Sequence, residues 1–444
     1  MSIPFNQKFG LTVSFATLLF IGLANTHLRA QSKTQQLSQQ HTATQNLSHT
    51  QQQNSALLQQ QIPSASSQEN AFIVQQTSDN NLDKQNTRLS EPKSAPTSTY
   101  YQVIDELQKY KFSVQGNQVF TSGKLPTTKV NFNQSDLLTV LVNTRKYYQD
   151  YASEDQKVLR TGVLATQGVS VEDILKTLDF MITVLQEDIA NNRATRLQDP
   201  NFINTNFRVI KWSAYNSPSS TSQKQLRITK YAVFTHPASH KKTSKYNIPI
   251  YSLKDNSIAE KFYTKYTKQD VLSGIYESGG KEFGKVEPLA YLTREGFEEA
   301  LMEGTILLNF TDGSKALFNV DRSNEMPYLR GVAATSQKRY WYFRQVDDIK
   351  GYGYKIDAKI SIKPGVTFAG DVLNIGLGRV IVLEYPKDGR KQLQLGVLAD
   401  TGGAFLPNLH QLDFLAGIFQ GRKDFGQHTR QLPEYATAYI LVKK

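Results

Sequence analysis

Two stretches in the first half of the chain place apolar residues three and four positions apart. NQSDLLTVLVNTRKYYQDY predicts a helix starting near Ser135. VSVEDILKTLDFMITVLQEDIANN predicts a second, with Ile174, Leu175, Leu178, Ile182, Leu185 and Ile189 at helical spacing. Ser170 precedes that run and Asp173 stands three residues on, a spacing that lets each side chain bond the other's backbone N–H. Both helices are expected to serve as scaffold. Upstream, VIDELQKY and KFSVQGNQVFTSG predict a short helix and a hairpin.

Beyond about residue 205 the period shortens to two. RVIKWSAY, LRITKYAVF, TILLNF, KALFNV, RYWYF, AKISI, RVIVLEY, QLQLGVLA and YATAYILV read as short strands. Turn chemistry such as FTDGSK and PKDGRK separates neighbours, as hairpins require. Many short strands at this spacing predict barrels rather than a doubly wound sheet. The strand at the carboxyl end is expected to complete one.

Before residue 99 neither period is present. Residues 31 to about 98 are dominated by Gln, Ser, Thr and Asn, as in QSKTQQLSQQHTATQNLSHTQQQ. Such a stretch buries too little apolar surface to offset its ordering entropy, so a flexible tether is expected. Residues 1–30 read as an export signal: Lys8 is the positive region, FGLTVSFATLLFIGLA the apolar one, and Ala30 in LRAQ fits a cleavage site. Left uncleaved, the same segment would anchor the chain in a membrane. Either way the remainder is expected outside the cytoplasm.

The 444 residues carry a net charge of +12, which favours polyanionic partners such as nucleic acid, anionic lipid or an acidic cell-wall polymer. No nucleic-acid module is legible, and aromatics do not interleave with dense basic runs. Without cysteine, disulfides, thiolate chemistry, Cys-ligated metals and lipoprotein modification are excluded.

Candidate chemistry concentrates in LADTGGAFLPNLHQLDFLAGIFQG, residues 398 to 421. An ionised carboxylate is costly in apolar surroundings. Asp413, between Leu412 and Phe414, therefore either points to solvent from a loop or has its pKa raised for acid chemistry. The D-T-G at Asp400 invites an aspartic protease reading, but that chemistry needs two such loops sharing one proton. No second D-T-G or D-S-G occurs, which leaves only a homodimeric protease. His236 and His240 stand four apart, yet their surroundings read as strand then Pro-containing loop, and HExxH is absent. They are expected to be exposed loop histidines, with no metal bound.

Four blocks taken in order resemble the membrane-bound lytic murein transglycosylase A family. ITKYAVFTHPASHKKTSKYNIPIY is similar to its T-G-Y-Y-x-P segment and following P-[LI]-Y, matching at Thr229, Tyr231, Pro249 and Tyr251, with Lys230 and Phe234 as departures. YLTREGFEEALMEGTILLNFTDGSKALFNVDRSNEMPY resembles the segment containing its Q-G-S-G loop, here Glu303-Gly304-Thr305, with Glu325 in place of a glycine. RYWYF and AKISIKPGVTFAGDVL resemble its aromatic strand and S-I-A-V-D-P element, placing Lys363 where the family has one of three aspartates. ADTGGAF and LDFLAG match its D-x-G-G-A-I and D-[IF]-x-x-G. The blocks span about residues 205 to 430.

The resemblance implies a mainly β fold with N-terminal helices: a double-psi β-barrel catalytic domain with an inserted second small β-barrel domain. Helical scaffold and the start of the barrel would fill residues 99–230, the insertion 231–335, and the rest of the barrel 336–444. The implied reaction is water-free cleavage of the β-1,4 bond between N-acetylmuramic acid and N-acetylglucosamine in peptidoglycan, leaving a 1,6-anhydro ring. Asp413 would be the single general acid and base, and Asp400 would orient the loop or set the local field. Thr229, Tyr231, Glu303, Gly304, Gly402 and Gly403 would bind glycan. The implied protein is a monomer of the periplasm or cell envelope that needs no cofactor or metal. Its rival is a glycan-binding module of the same fold that has lost the acid function.

Overall fold

The computed structural model describes residues 99–106, 112–215, 224–329, 331–402, 405 and 407–444. The export signal, the tether and Gly403 lie outside the described residues. No helix among the described residues is long and apolar enough to cross a membrane.

Helix α1 (Gln134–Tyr151) begins where Asn133 Oδ1 accepts the Asp136 N–H at 3.0 Å. Helix α2 (Val171–Ala190) begins with the expected reciprocal cap: Ser170 Oγ accepts from Asp173 N at 3.1 Å, and Asp173 Oδ2 from Ser170 N at 2.8 Å. Its buried face is Ile174, Thr177, Leu178, Met181, Val184, Leu185 and Asp188. Leu175, Ile182 and Ile189 are only half-buried. The face is thus rotated from the expected stripe, bringing Thr177 Oγ1 under the Lys443 N–H at 2.8 Å.

The amino-terminal strands are short: β1 (Tyr100–Gln102), β2 (Ser113–Gln115), β3 (Phe120–Ser122) and β4 (Val130–Asn131). β1 pairs with β2, but the expected hairpin in KFSVQGNQVFTSG does not form. A one-turn helix, Gly116–Val119, separates β2 from β3, which pairs instead with β5 (Phe207–Trp212). Adjacent Val119 and Phe120 are both buried. A continuous strand would send them to opposite faces, whereas the turn points both inward.

The remaining strands are β6 (Leu226–Ser239), β7 (Ile248–Leu253), β8 (Val286–Leu292), β9 (Thr305–Phe310), β10 (Lys315–Ser323), β11 (Trp341–Val346), β12 (Thr367–Ala369), β13 (Val380–Lys387), β14 (Arg390–Asp400), β15 (Gln411–Phe419) and β16 (Tyr435–Lys443). Among the described residues they join β3, β4 and β5 in one 14-stranded sheet packed with helices. Its main path runs β11-β10-β9-β6-β15-β12-β14-β13-β16-β5-β3. β6 also pairs with β16, so β6, β15, β12, β14, β13 and β16 form a closed circuit of pairings.

AKISI is not a strand of this sheet. Residues Ile356–Ala358 make a 3₁₀ turn, and the chain then runs back along residues 349–352. Ile360 N donates to Tyr352 O at 2.8 Å and Ile362 N to Ile349 O at 2.9 Å. Gly351 is needed for that docking, because a Cβ there would lie 2.6 Å from the Ala399 carbonyl.

Buried apolar residues fall into three clusters. One joins α1 and α2 to the strand faces holding Val382, Leu395 and Leu415. A second gathers Trp212, Ile228, Phe368, Leu412 and Phe414. The third, from Ala238 to Phe343, centres on Tyr276, Tyr340 and Tyr342.

Candidate active site

Register decides which acids meet. Ala369 on β12 is the partner of Asp400 on the parallel neighbour β14 and of Asp413 on the antiparallel neighbour β15. On its other side Asp413 is level with Thr229 of β6. The two acids therefore sit two strand spacings apart, roughly 10 Å between backbones. Only the small side chain of Ala369 lies between them.

Both carboxyls open on a cavity of about 470 Å³. Its apolar wall includes Val233, Ile349, Ala369 and Phe405; its polar wall includes Tyr231, Thr305, Asn319, Lys350 and Lys359. The volume suits a ligand of two or three rings. Strand alternation sends the apolar neighbours of Asp413 in the chain, Leu412 and Phe414, into the second core cluster behind the sheet. The walls around the carboxyl are supplied by other elements.

Burial pushes Asp413 up to about 6, against the opposing pull of the Thr229 hydroxyl and the Lys230 charge. Its Oδ1 is buried with no hydrogen-bond partner. Thr229 donates to the Leu412 carbonyl at 3.2 Å and accepts from Gln411 Nε2 at 2.9 Å, so its hydroxyl is largely committed elsewhere. Burial also raises Asp400 to about 6. Unlike Asp413, Asp400 is well served by donors: Tyr231 Oη donates to Oδ2 at 2.7 Å and Thr401 N to Oδ1 at 2.8 Å. Buried polar groups ordinarily find partners, so the orphan oxygen on Asp413 marks where a ligand proton would sit.

The cavity brings together Asp400, Asp413, Tyr231, Gly304 and Gly402. It does not include Glu303, whose carboxylate pairs with His236 Nε2 at 3.1 Å. Nor does Thr229 line it, although it stands opposite Asp413. His236 is buried within β6, not on an exposed loop, because β6 continues through Pro237 to Ser239. His240, just beyond, is exposed and stacks on Phe310. Among the described residues no group of three or more His, Cys, Asp or Glu could hold a metal ion.

Lys363 does not reach the acids. Its ammonium bonds Asp348 Oδ2 at 2.6 Å. Lys359, four residues earlier, lines the cavity with Lys350, a place that reading AKISI as a strand hid. Asn319 was also missed. Its amide donates to Gly304 O at 2.8 Å and Thr305 Oγ1 at 2.7 Å, fixing the loop while its oxygen accepts from Lys359. Tyr352 turns its hydroxyl to Asp155 at 2.8 Å and leaves its ring on the wall. A third carboxyl, Asp371, is buried and raised to about 6 by burial. It accepts from Asn408 N at 2.8 Å and Asn374 Nδ2 at 2.7 Å, tying the segment before β15 to the segment after β12. The A-G-D sequence was its only trace.

Neither a family model nor a curated protein sequence matches the chain. Among solved structures it is similar to E. coli MltA with bound chitohexaose: 16% identity and TM-score 0.49, over 73% of this chain and 95% of that one. It is also similar to the membrane-bound lytic murein transglycosylase of Agrobacterium tumefaciens, at 15% and 0.49 over 73% and 98%. MltA of Neisseria gonorrhoeae follows at 13% and 0.46 over 73% and 97%. These are structures of the family that the four sequence blocks resemble. Likeness at this level carries no weight for activity.

Proposed function

We propose that the chain is a peptidoglycan lytic transglycosylase with Asp413 as its general acid and base. The observation that carries this reading is the half-buried Asp413 carboxyl, raised to about 6, whose orphan Oδ1 lies beside a polar cavity. A carboxyl that keeps its proton near neutrality can protonate a leaving oxygen. In the proposed step Asp413 gives its proton to the glycosidic oxygen as the bond from muramyl C1 breaks and N-acetylglucosamine leaves. The resulting carboxylate takes the proton of the muramyl C6 hydroxyl, and O6 bonds to C1 to close the 1,6-anhydro ring. The nucleophile is tethered within the same sugar, so no water and no second carboxylate nucleophile are needed.

Asp400, held by Tyr231 and Thr401, supplies negative charge across from Asp413, where cationic character develops at C1. Gly304, Gly402 and Gly403 would let the glycan pass close to backbone. The circuit of six strands is the pairing a double-psi β-barrel needs, and the third core cluster supports an inserted second β unit that begins near 231 but extends past 335 to include Tyr340, Tyr342 and Phe343. An export signal in residues 1–30 would deliver a monomer to the periplasm or envelope, where peptidoglycan strands are its partner.

Incubating the purified chain with murein sacculi tests the reading, with products weighed for the anhydro ring. Release should fall as pH rises through about 6, where the acid loses its proton. Products weighing one water more would indicate hydrolysis. Binding to sacculi with no product would leave the silent glycan-binding module.

A further inference from the structure

Lys359 is the unexplained charge of the cavity. Its ammonium donates to Asn319 Oδ1 and, at 2.9 Å, to Val320 O. Both acceptors are neutral, and among the described residues it forms no ion pair. Burial holds its pKa below the usual lysine range, with Asp400, then Asp321, opposing that and Arg322 adding to it. Desolvating an ammonium against neutral partners is costly unless a charge elsewhere is served by it. Asp321 is already committed to Arg322 at 2.9 Å and Arg344 at 3.3 Å. The other cavity lysine, Lys350, is turned to Asp347 at 2.5 Å and Ser361 Oγ at 2.8 Å. Asp400 is the carboxyl on the same cavity wall that Lys359 acts upon.

We propose that Lys359 is a positioning residue for the acid pair: anchored by Asn319 and Val320, its charge keeps Asp400 as the carboxylate and leaves the proton to Asp413. The two acids differ in their partners: Asp400 accepts from Tyr231 and Thr401 and shares its cavity with the Lys359 ammonium, whereas Asp413 Oδ1 has no donor. The groups facing Asp400 are Tyr231 from β6, Lys359 from the 356–362 segment, Thr401 beside it and Asp413 across Ala369. Those acting on Asp413 are Thr229 and Lys230 of β6, both weaker than its burial. Without Lys359, Asp400 becomes the better base and the proton moves to the wrong side of the cavity. Asn319, which also fixes the Gly304 loop, ties this charge to the position of the opposite wall. The catalytic consequence rests on the proposed transglycosylase reading; the proton placement does not.

Carboxyl ¹³C titration tests that placement without turnover. In Lys359→Met the Asp400 midpoint should rise by about one pH unit or more, as for a carboxylate losing a nearby cation, with a smaller change at Asp413. Lys359→Gln keeps a donor for Asn319 and should behave like Met; Lys359→Arg keeps the charge and should restore the original midpoints. Activity on sacculi should then fall, with the acid limb of its pH profile, where Asp400 ionises, displaced to higher pH in the Met and Gln variants alone. Unmoved midpoints in folded Gln and Met variants would overturn the proposal. Moved midpoints with no anhydro product from the wild type would leave Lys359 assigned and sink the transglycosylase instead.

Discussion

Asp188, at the end of α2, and Asp413, on β15, answer the same problem in opposite ways. The Asp188 side chain is fully buried, the more enclosed of the two. Burial alone would raise it, yet the Arg196 N–H at 2.8 Å and the guanidinium groups of Arg193 and Arg196 bring it below the ordinary carboxylate range. Asp413 is half-open to a cavity and sits high, because burial outweighs the pull of Thr229 and Lys230 and one of its oxygens has no donor to oppose it. Protonation is set by the balance of burial and partners: two guanidinium groups outweigh burial at Asp188, whereas burial outweighs the neutral donors of Asp400 and the weak partners of Asp413. The first arrangement holds a helix end to the following loop; the second holds a proton in reserve.

The contrast breaks first at activity. Asp413→Asn should lower anhydro-product release by about 10²- to 10⁴-fold, the usual worth of a general acid, with sacculus binding retained. Asp188→Ala should cost about 1 to 2 kcal/mol of folding stability, chiefly by leaving the Arg196 N–H without its acceptor; Arg193 loses its partner but is partly exposed, and Arg196 keeps Glu187. Denaturant unfolding reads that loss, and the pH profile of activity should keep its midpoint.

Acidification sharpens the difference. Asp413, Asp400 and Asp371 are raised in the fold, so their favourable contribution is complete below about pH 4 and is lost as pH climbs through about 6. Asp188 is lowered, so its contribution is present above about pH 4 and disappears only on stronger acidification. Asp413→Asn should therefore stabilise the protein at pH 7 by about 1 to 2 kcal/mol, discounted for the open cavity, and by nothing at pH 4. Thermal unfolding at the two pH values measures it. Lys363→Met should do least: its partly exposed pair with Asp348 is worth under about 1 kcal/mol, and the activity profile should not move.

Much of this was legible in the chain. The helix starts near Ser135 and at Ser170, the strands β9, β10, β11, β13, β14 and β16, and the candidacy of Asp413 follow from local pattern and motif, whereas β12 and β15 were not legible. Local pattern failed where a segment's partner lay far away. AKISI alternates like a strand, yet its alternation is satisfied by residues 349–352 and delivers Lys359 to the cavity. The stripe on α2 was drawn through apolar residues only, so the buried polar Thr177 and Asp188 turned its face. Glu303 and Gly304 are neighbours in one motif, but only Gly304 lines the cavity.

Sequence alone determined that a strand would run up to Asp400 before a glycine turn and that Asp413 would stand among apolar residues, since short-range periodicity and turn chemistry act through adjacent residues. Only the tertiary structure decided what makes Asp413 hold a proton. The residues beside it in the chain, Leu412 and Phe414, face the core behind the sheet, and the cavity walls come from Tyr231, Ile349, Ala369 and Phe405. Desolvation and hydrogen-bond supply depend on what surrounds an atom in space, and strand alternation guarantees that nearest neighbours in sequence point elsewhere.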